Sequence, residues 1–185
     1  MNKLSLFAAV VSLVMTTSVS AQQKLLLGQS YIDFTIKQLS DPLDGKFSKV
    51  GASVAFDAKN PEAGKIIFSN DLCGEMIGNA EASNELKKPD WFNAAKFPLT
   101  TFTPTAISST GPRRLDVADV LTMKANARPV VAPVTLSPGV NGITTAQGTF
   151  TLKRNDFKIG EGYWTDVSIA ANDVIVKFKL EVIGM

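Results

Sequence analysis

The residues able to do chemistry are few in this chain of 185 residues, and the most informative type is one that does not occur: histidine. Without imidazole there is no Ser-His-Asp or Cys-His nucleophile, no histidine general base, and no zinc, copper or haem site built on histidine ligands. The single cysteine, Cys73, excludes an intrachain disulfide, a thiolate metal cluster and paired-cysteine redox chemistry. Alone, Cys73 reads as a small buried or loop thiol, or else as an exposed thiol that pairs between chains. Carboxylate and lysine chemistry remain. Asp41 with Asp44, Glu81 with Glu85 and Asp116 with Asp119 are the acid pairs that could flank a glycosidic bond. Each lies in a polar stretch, where solvated turn or surface carboxylates are the ordinary reading. Gly160-Glu161-Gly162 is a fragment of a dinucleotide fingerprint that opens no helix, so it reads as a flexible loop. Asn60 to Lys65 lacks the first glycine and the hydroxyl residue of a phosphate loop and reads as a turn. We therefore expect no catalysis, no catalytic cofactor and no metal site.

Any site must be held by the elements around it, and their dominant signal is alternation with period two, the mark of strands with one buried face. Ile32, Phe34 and Ile36 oppose Asp33, Thr35 and Lys37; Val50, Ala52, Val54 and Phe56 oppose Gly51, Ser53 and Asp57. Val174, Val176, Phe178, Leu180 and Val182 alternate with Lys177, Lys179 and Glu181. Weaker strand signals cover Lys65–Asn70, Leu99–Ser108, Leu115–Ala125, Val130–Leu136 and Ile143–Lys153, with Pro- or Gly-bearing breaks between them. Eight strands result, and only Cys73 to Phe97 reads as helical or irregular. The expected class is all-β, a sandwich or a barrel. If eight strands close into one barrel, its interior is either filled by side chains or wide enough for one small ligand.

At the N-terminus, Lys3, the apolar run Leu4 to Met15 and the small residues Val19-Ser20-Ala21 read as an export signal cleaved near Ala21. The run falls short of the roughly 20 residues a bilayer span takes, and no later stretch is longer. No cysteine ends the signal, so no lipid anchor is expected. Residues 22–185 make one domain. Losing Lys3 takes the formal charge from +2 to +1, which gives no footprint for nucleic acid or an anionic membrane. The outer-face charges Lys177, Lys179 and Glu181 are compatible with a monomer or a homodimer.

Three stretches together resemble the YceI-like family, the lipocalin-like polyisoprenoid-binding proteins of bacterial periplasms. The first is Glu85-Leu86-Lys87-Lys88-Pro89-Asp90-Trp91-Phe92-Asn93-Ala94-Ala95-Lys96-Phe97-Pro98 followed by Thr101-Phe102. The second runs from Leu121-Thr122-Met123 through Arg128-Pro129-Val130 to Val134-Thr135-Leu136, and the third is Arg154 to Gly160. The resemblance spans Ile32 to Val182. It implies an extended antiparallel eight-stranded lipocalin-like barrel with a short helical insertion, in the periplasm, enclosing a long isoprenoid chain such as that of a quinone or polyprenyl lipid. The chain departs from the family pattern where Ala82-Ser83-Asn84-Glu85 replaces an arginine and a histidine, where Lys124-Ala125 replaces a histidine-glycine pair, and where Asp119 replaces a glycine.

The expected ligand-contacting residues are Phe34, Ile36, Val54, Phe56, Trp91, Phe92, Phe102, Leu121, Met123, Phe150, Phe157, Phe178 and Leu180. Core packing accounts for any one of them equally well. The inward sets, however, mix phenylalanine with Ala52, Ala146 and Gly148, which would leave room along the axis. Two other readings stay open: a ligandless periplasmic stress or protein-interaction module, and a carboxylate enzyme with two acids in a wet cleft.

Overall fold

A computed structural model of the chain describes residues 23–47, 50–56, 62, 64–73, 76 and 80–184. The export-signal reading falls on residues outside this range, as do Asn60, Pro61 and Ala63 of the Asn60–Lys65 turn.

The strands are β1 (Lys24–Leu25), β2 (Tyr31–Gln38), β3 (Asp41–Lys46), β4 (Val50–Ala55), β5 (Lys65–Asp71), β6 (Leu99–Phe102), β7 (Pro104–Gly111), β8 (Arg114–Met123), β9 (Asn126–Pro138), β10 (Ile143–Lys153) and β11 (Ala170–Ile183), with one helix, α1 (Ala80–Leu86). Every ladder is antiparallel, and all the strands belong to one strongly curled sheet in the order β3-β2-β11-β10-β9-β8-β6-β5-β4. β1 adds to β11 and β7 to β8. Among the described residues no ladder joins β3 to β4.

Among the described residues eleven strands stand where eight were expected, for identifiable reasons. β3 contains Pro42 and Gly45 and lacks a β-branched residue, so it does not read as a strand; Pro42 is tolerated because β3 is an edge strand. The Leu99–Ser108 stretch divides at Thr103 into β6 and β7, whose pairing to β8 shifts register near Pro104. β1 has only two residues and no period to display.

The alternation sets which face is inside. On β8, Leu115, Val117, Leu121 and Met123 are buried while Arg114 and Val120 are exposed. At one end of the curl the Gln23 side chain fastens distant strands together. Its Oε1 accepts from the backbone N–H of Phe56 at 2.6 Å, just past β4, and its Nε2 donates to the carbonyls of Phe56 and of Gly184, past β11.

One inward glycine leaves less space than its size implies. A Cβ on Gly148 would meet the carbonyl oxygen of Pro133 at 2.0 Å and the Phe178 ring at 2.6 Å, so neighbours fill the gap that the sequence assigns to a ligand. The β9–β10 ladder ends beside this contact, at Thr135 and Gln147. Pro133 and Pro129 follow on β9 and have no N–H to extend it.

Candidate functional site

The inward faces enclose two apolar cavities. The first has about 1040 Å³ of empty space, its mouth included, and the second about 1350 Å³. These volumes take in the open space at each mouth, and the first cavity is the tighter of the two. Phe47, Met123, Leu152 and Val176 line both, so these four side chains form a waist between the cavities.

Of the residues expected from sequence to contact a ligand, Phe56, Phe102, Leu121, Met123, Phe150, Phe178 and Leu180 line the first cavity. Phe34, Ile36, Trp91, Phe92 and again Met123 line the second. Val54 and Phe157 line neither; they are packed in the buried core, 8% and 1% exposed. The sequence reading leaves out Phe47, Leu152 and Val176 at the waist. Leu152 and Val176 were within reach of it, because they continue the alternation of Phe150 and Phe178. Phe47 sits just beyond a strand with no period and gives no such signal.

Aromatic rings wall the second cavity. Phe47 stands 5.3 Å from Phe34 and 6.3 Å from Phe92, and Trp91 stands 5.3 Å from Trp164, centroid to centroid. Their support is Arg154, which is 1% exposed and lies 5.8 Å from the centre of the Trp91 ring. Nε donates to the carbonyl of Ala171, Nη1 to Ile159 and Gly160, and Nη2 to Trp164 and Ala170. The five N–H bonds of the guanidinium are thus matched by five backbone carbonyls. Burial pulls its pKa below the usual value, and no carboxylate is among these partners. Arg154 is therefore the pin of the loop that follows β10, with no donor left for a guest.

That loop is fixed, where the sequence reads as flexible. Gly160 is buried with φ +80°, and a Cβ there would meet Arg154 Nη1 at 2.2 Å. The N–H groups of Gly160 and Glu161 both donate to the carbonyl of Asp90, at 2.8 and 2.7 Å. Lys124 adds a clasp: its Nζ donates to the carbonyls of Pro89 and Lys158 and to Glu161 Oε2, at 2.6, 3.0 and 2.6 Å. This ion pair holds the Glu161 carboxyl below its ordinary pKa. Lys124 and Ala125 form the tight turn between β8 and β9 with φ of +49° and +58°, a conformation that persists in non-glycine residues only when held from outside.

The acid pairs do not converge as a catalytic dyad requires. Asp41 and Asp44 are exposed on the edge strand, and Asp44 Oδ1 accepts from the Thr35 hydroxyl at 2.6 Å. Glu81 and Glu85 lie on α1 at the rim of the second cavity, where Glu85 pairs with Lys88. Asp116 and Asp119 are three apart on β8 and so face opposite sides of the sheet. Asp119 is not the surface carboxylate its polar neighbours imply. It occupies an inward position, 2% exposed, and its Oδ1 accepts from the N–H of Thr103 at 2.8 Å, at the break between β6 and β7. Burial pushes its pKa above the usual 3.8. Cys73 is an exposed, free thiol in a turn.

A curled antiparallel sheet with an apolar hollow and a short helical insertion at one end defines a lipocalin-like protein. Within that class the chain belongs to the YceI-like family, whose domain model matches residues 24–182. It is 31% identical to Protein YceI of Salmonella newport, over 98% of this chain and 97% of that one. Among solved structures, Burkholderia cenocepacia BcnA superposes with a TM-score of 0.82 at 32% identity, covering 85% of this chain and 99% of its own. A polyisoprenoid binding domain from Saccharophagus degradans, implicated in plant cell wall breakdown, has the same fold at 15% identity, with a TM-score of 0.71 over 88% of this chain and 98% of that one. Among the described residues no helix is long and apolar enough to cross a membrane.

Proposed function

We propose that this protein is a non-enzymatic carrier that holds one long isoprenoid-type lipid, of quinone or polyprenyl kind, along its two joined cavities. The observation that carries the reading is the pair of apolar hollows that share Phe47, Met123, Leu152 and Val176 in their linings, an arrangement suited to a long flexible chain that runs past these four side chains. The polyisoprenoid-binding relative of the same fold points the same way. Apolar contact is enough for tight binding. A chain of about 40 carbons at roughly 0.3 kcal/mol per heavy atom gains about 12 kcal/mol, which is nanomolar affinity.

In this reading the curled sheet is a closed barrel, with β1 and Gln23 completing one end. The protein is exported to the periplasm as the single domain 22–185, as a monomer or homodimer. Edman sequencing of the mature protein is then expected to begin at Gln22.

Organic extraction of protein purified from its native compartment, followed by mass spectrometry, tests the carrier. A prenyl lipid near one per chain is the expected result. Protein that carries no lipid and takes up no prenyl probe would reject the reading and favour a ligandless interaction module.

A further inference from the structure

We infer that the interior contains a hydrogen-bonding anchor made by Asn70 and Thr100, and that it selects an isoprenoid bearing a hydroxyl group. The inference rests on the carrier reading above and adds the chemistry of the guest's polar end.

Asn70 and Thr100 are the two polar residues among the side chains lining the first cavity; the rest are aliphatic, aromatic or methionine. They stand opposite each other on the β5–β6 ladder, next to the opposed pair Phe68 and Phe102. Alternation on β5 places Ile66, Phe68 and Asn70 on one face, so an amide occupies a position where the local pattern calls for an apolar side chain. Such a break in an otherwise consistent pattern marks a site whose role is other than packing.

The pair is incompletely satisfied. Asn70 Nδ2 donates to Thr100 Oγ1 at 3.4 Å, a long contact, and Thr100 is only 2% exposed. Asn70 Oδ1 is buried and has no hydrogen-bond partner among the described residues. Thr100, accepting from Asn70, still has its own hydroxyl proton to donate. One acceptor and one donor thus stand side by side in apolar surroundings. A hydroxyl group donates and accepts through a single oxygen, so it meets both. An ether or ketone oxygen meets only the threonine and leaves Oδ1 orphaned; a hydrocarbon meets neither. Sites with buried polar groups discriminate strongly against guests that leave those groups unpaired.

The anchor also lies at the right depth. Thr101 pairs with Thr122, which brings the neighbouring Thr100 to the level of Met123, one of the four waist residues. A terminal hydroxyl held there lies beside the wall that the two cavities share.

The test compares geranylgeraniol with its methyl ether, two probes that differ in one donor proton. Dissociation constants are measured by tryptophan fluorescence on full-length mature protein freed of endogenous lipid. The alcohol is expected to bind at least about tenfold more tightly than the ether. In Asn70→Leu that ratio falls to about one while the ether still binds; Thr100→Val, which is nearly isosteric, supplies the same comparison should Asn70→Leu fail to fold. Equal affinity for both probes in the native protein, or a preference that survives both substitutions, overturns the anchor and leaves the carrier standing. If neither probe binds any form, the carrier reading falls and the anchor with it.

Discussion

Gly45 stands directly opposite Phe34 on the β2–β3 ladder, and the phenylalanine ring fills the volume a side chain at 45 would need: a Cβ there would lie 2.1 Å from Phe34 Cζ. The ring in turn packs 5.3 Å from Phe47, at the waist of the interior. Gly45→Ala is expected to push Phe34 out of its place and to cost about 1–3 kcal/mol in urea unfolding. In a Phe34→Leu background the same substitution should cost much less. Additive costs in that double-mutant cycle would mean that the ring is not what excludes the methyl group.

Arg154 is expected to be the least replaceable charged residue. Arg154→Met removes the donors to the carbonyls of Ala170, Ala171, Trp164, Ile159 and Gly160 and leaves them buried. The expected loss is about 3 kcal/mol or more, measured by chemical denaturation. Arg154→Lys should restore little of it, because three rotating donors on one nitrogen cannot reproduce a planar fork of five.

Asp119 gives stability a pH dependence of definite sign. Because burial raises its folded-state pKa above 3.8, the folded protein holds this proton more tightly than the unfolded chain does. The group's contribution is therefore complete below 3.8 and is lost as pH rises through the raised folded value. Asp119→Asn keeps an oxygen to accept from Thr103 and has no charge to bury. Unfolding free energies of the two proteins, compared from about pH 4 to about pH 7, should shift in favour of the asparagine variant as pH rises. A shift in favour of the aspartate would contradict the assignment.

The waist can be closed without touching either end. Leu152→Trp places a larger ring among Phe47, Met123 and Val176, where the two cavities meet. Long-chain lipid recovered by extraction should fall about tenfold or more, while a C15 prenyl probe, short enough for one cavity, should bind within about twofold of the native protein. Met123→Trp provides a second route to the same comparison. Undiminished long-chain binding in both would mean that the guest does not pass the waist.

Much of the fold was legible in the residues. A side-chain period of two is a local property, so the apolar faces of β2, β4, β8 and β11 could be read from the chain alone, and with them Phe34, Ile36, Leu121, Met123, Phe178 and Leu180 of the cavity lining. The segments that escaped had no period to show. β1 is two residues long; β3 carries Pro42 and Gly45; and the β6–β7 break occurs at Thr103, where a distant carboxylate, Asp119, serves the freed N–H group.

By itself the sequence determined the all-β class and the chemistry this protein lacks, because alternation and residue counts require no knowledge of neighbours. Tertiary structure decided what each inward position does. Gly45 and Gly148 are occupied by the rings of Phe34 and Phe178, whereas Phe47, Met123, Leu152 and Val176 stand between two hollows. Asp119 reads as a solvated carboxylate from its polar neighbours, yet it is buried; Arg154 is buried as well, and Asn70 lines the interior. The reason is that burial and free volume are properties of several strands at once. Curling the sheet brings together residues far apart in the chain, and only their combined volumes settle whether the inside is packed or open.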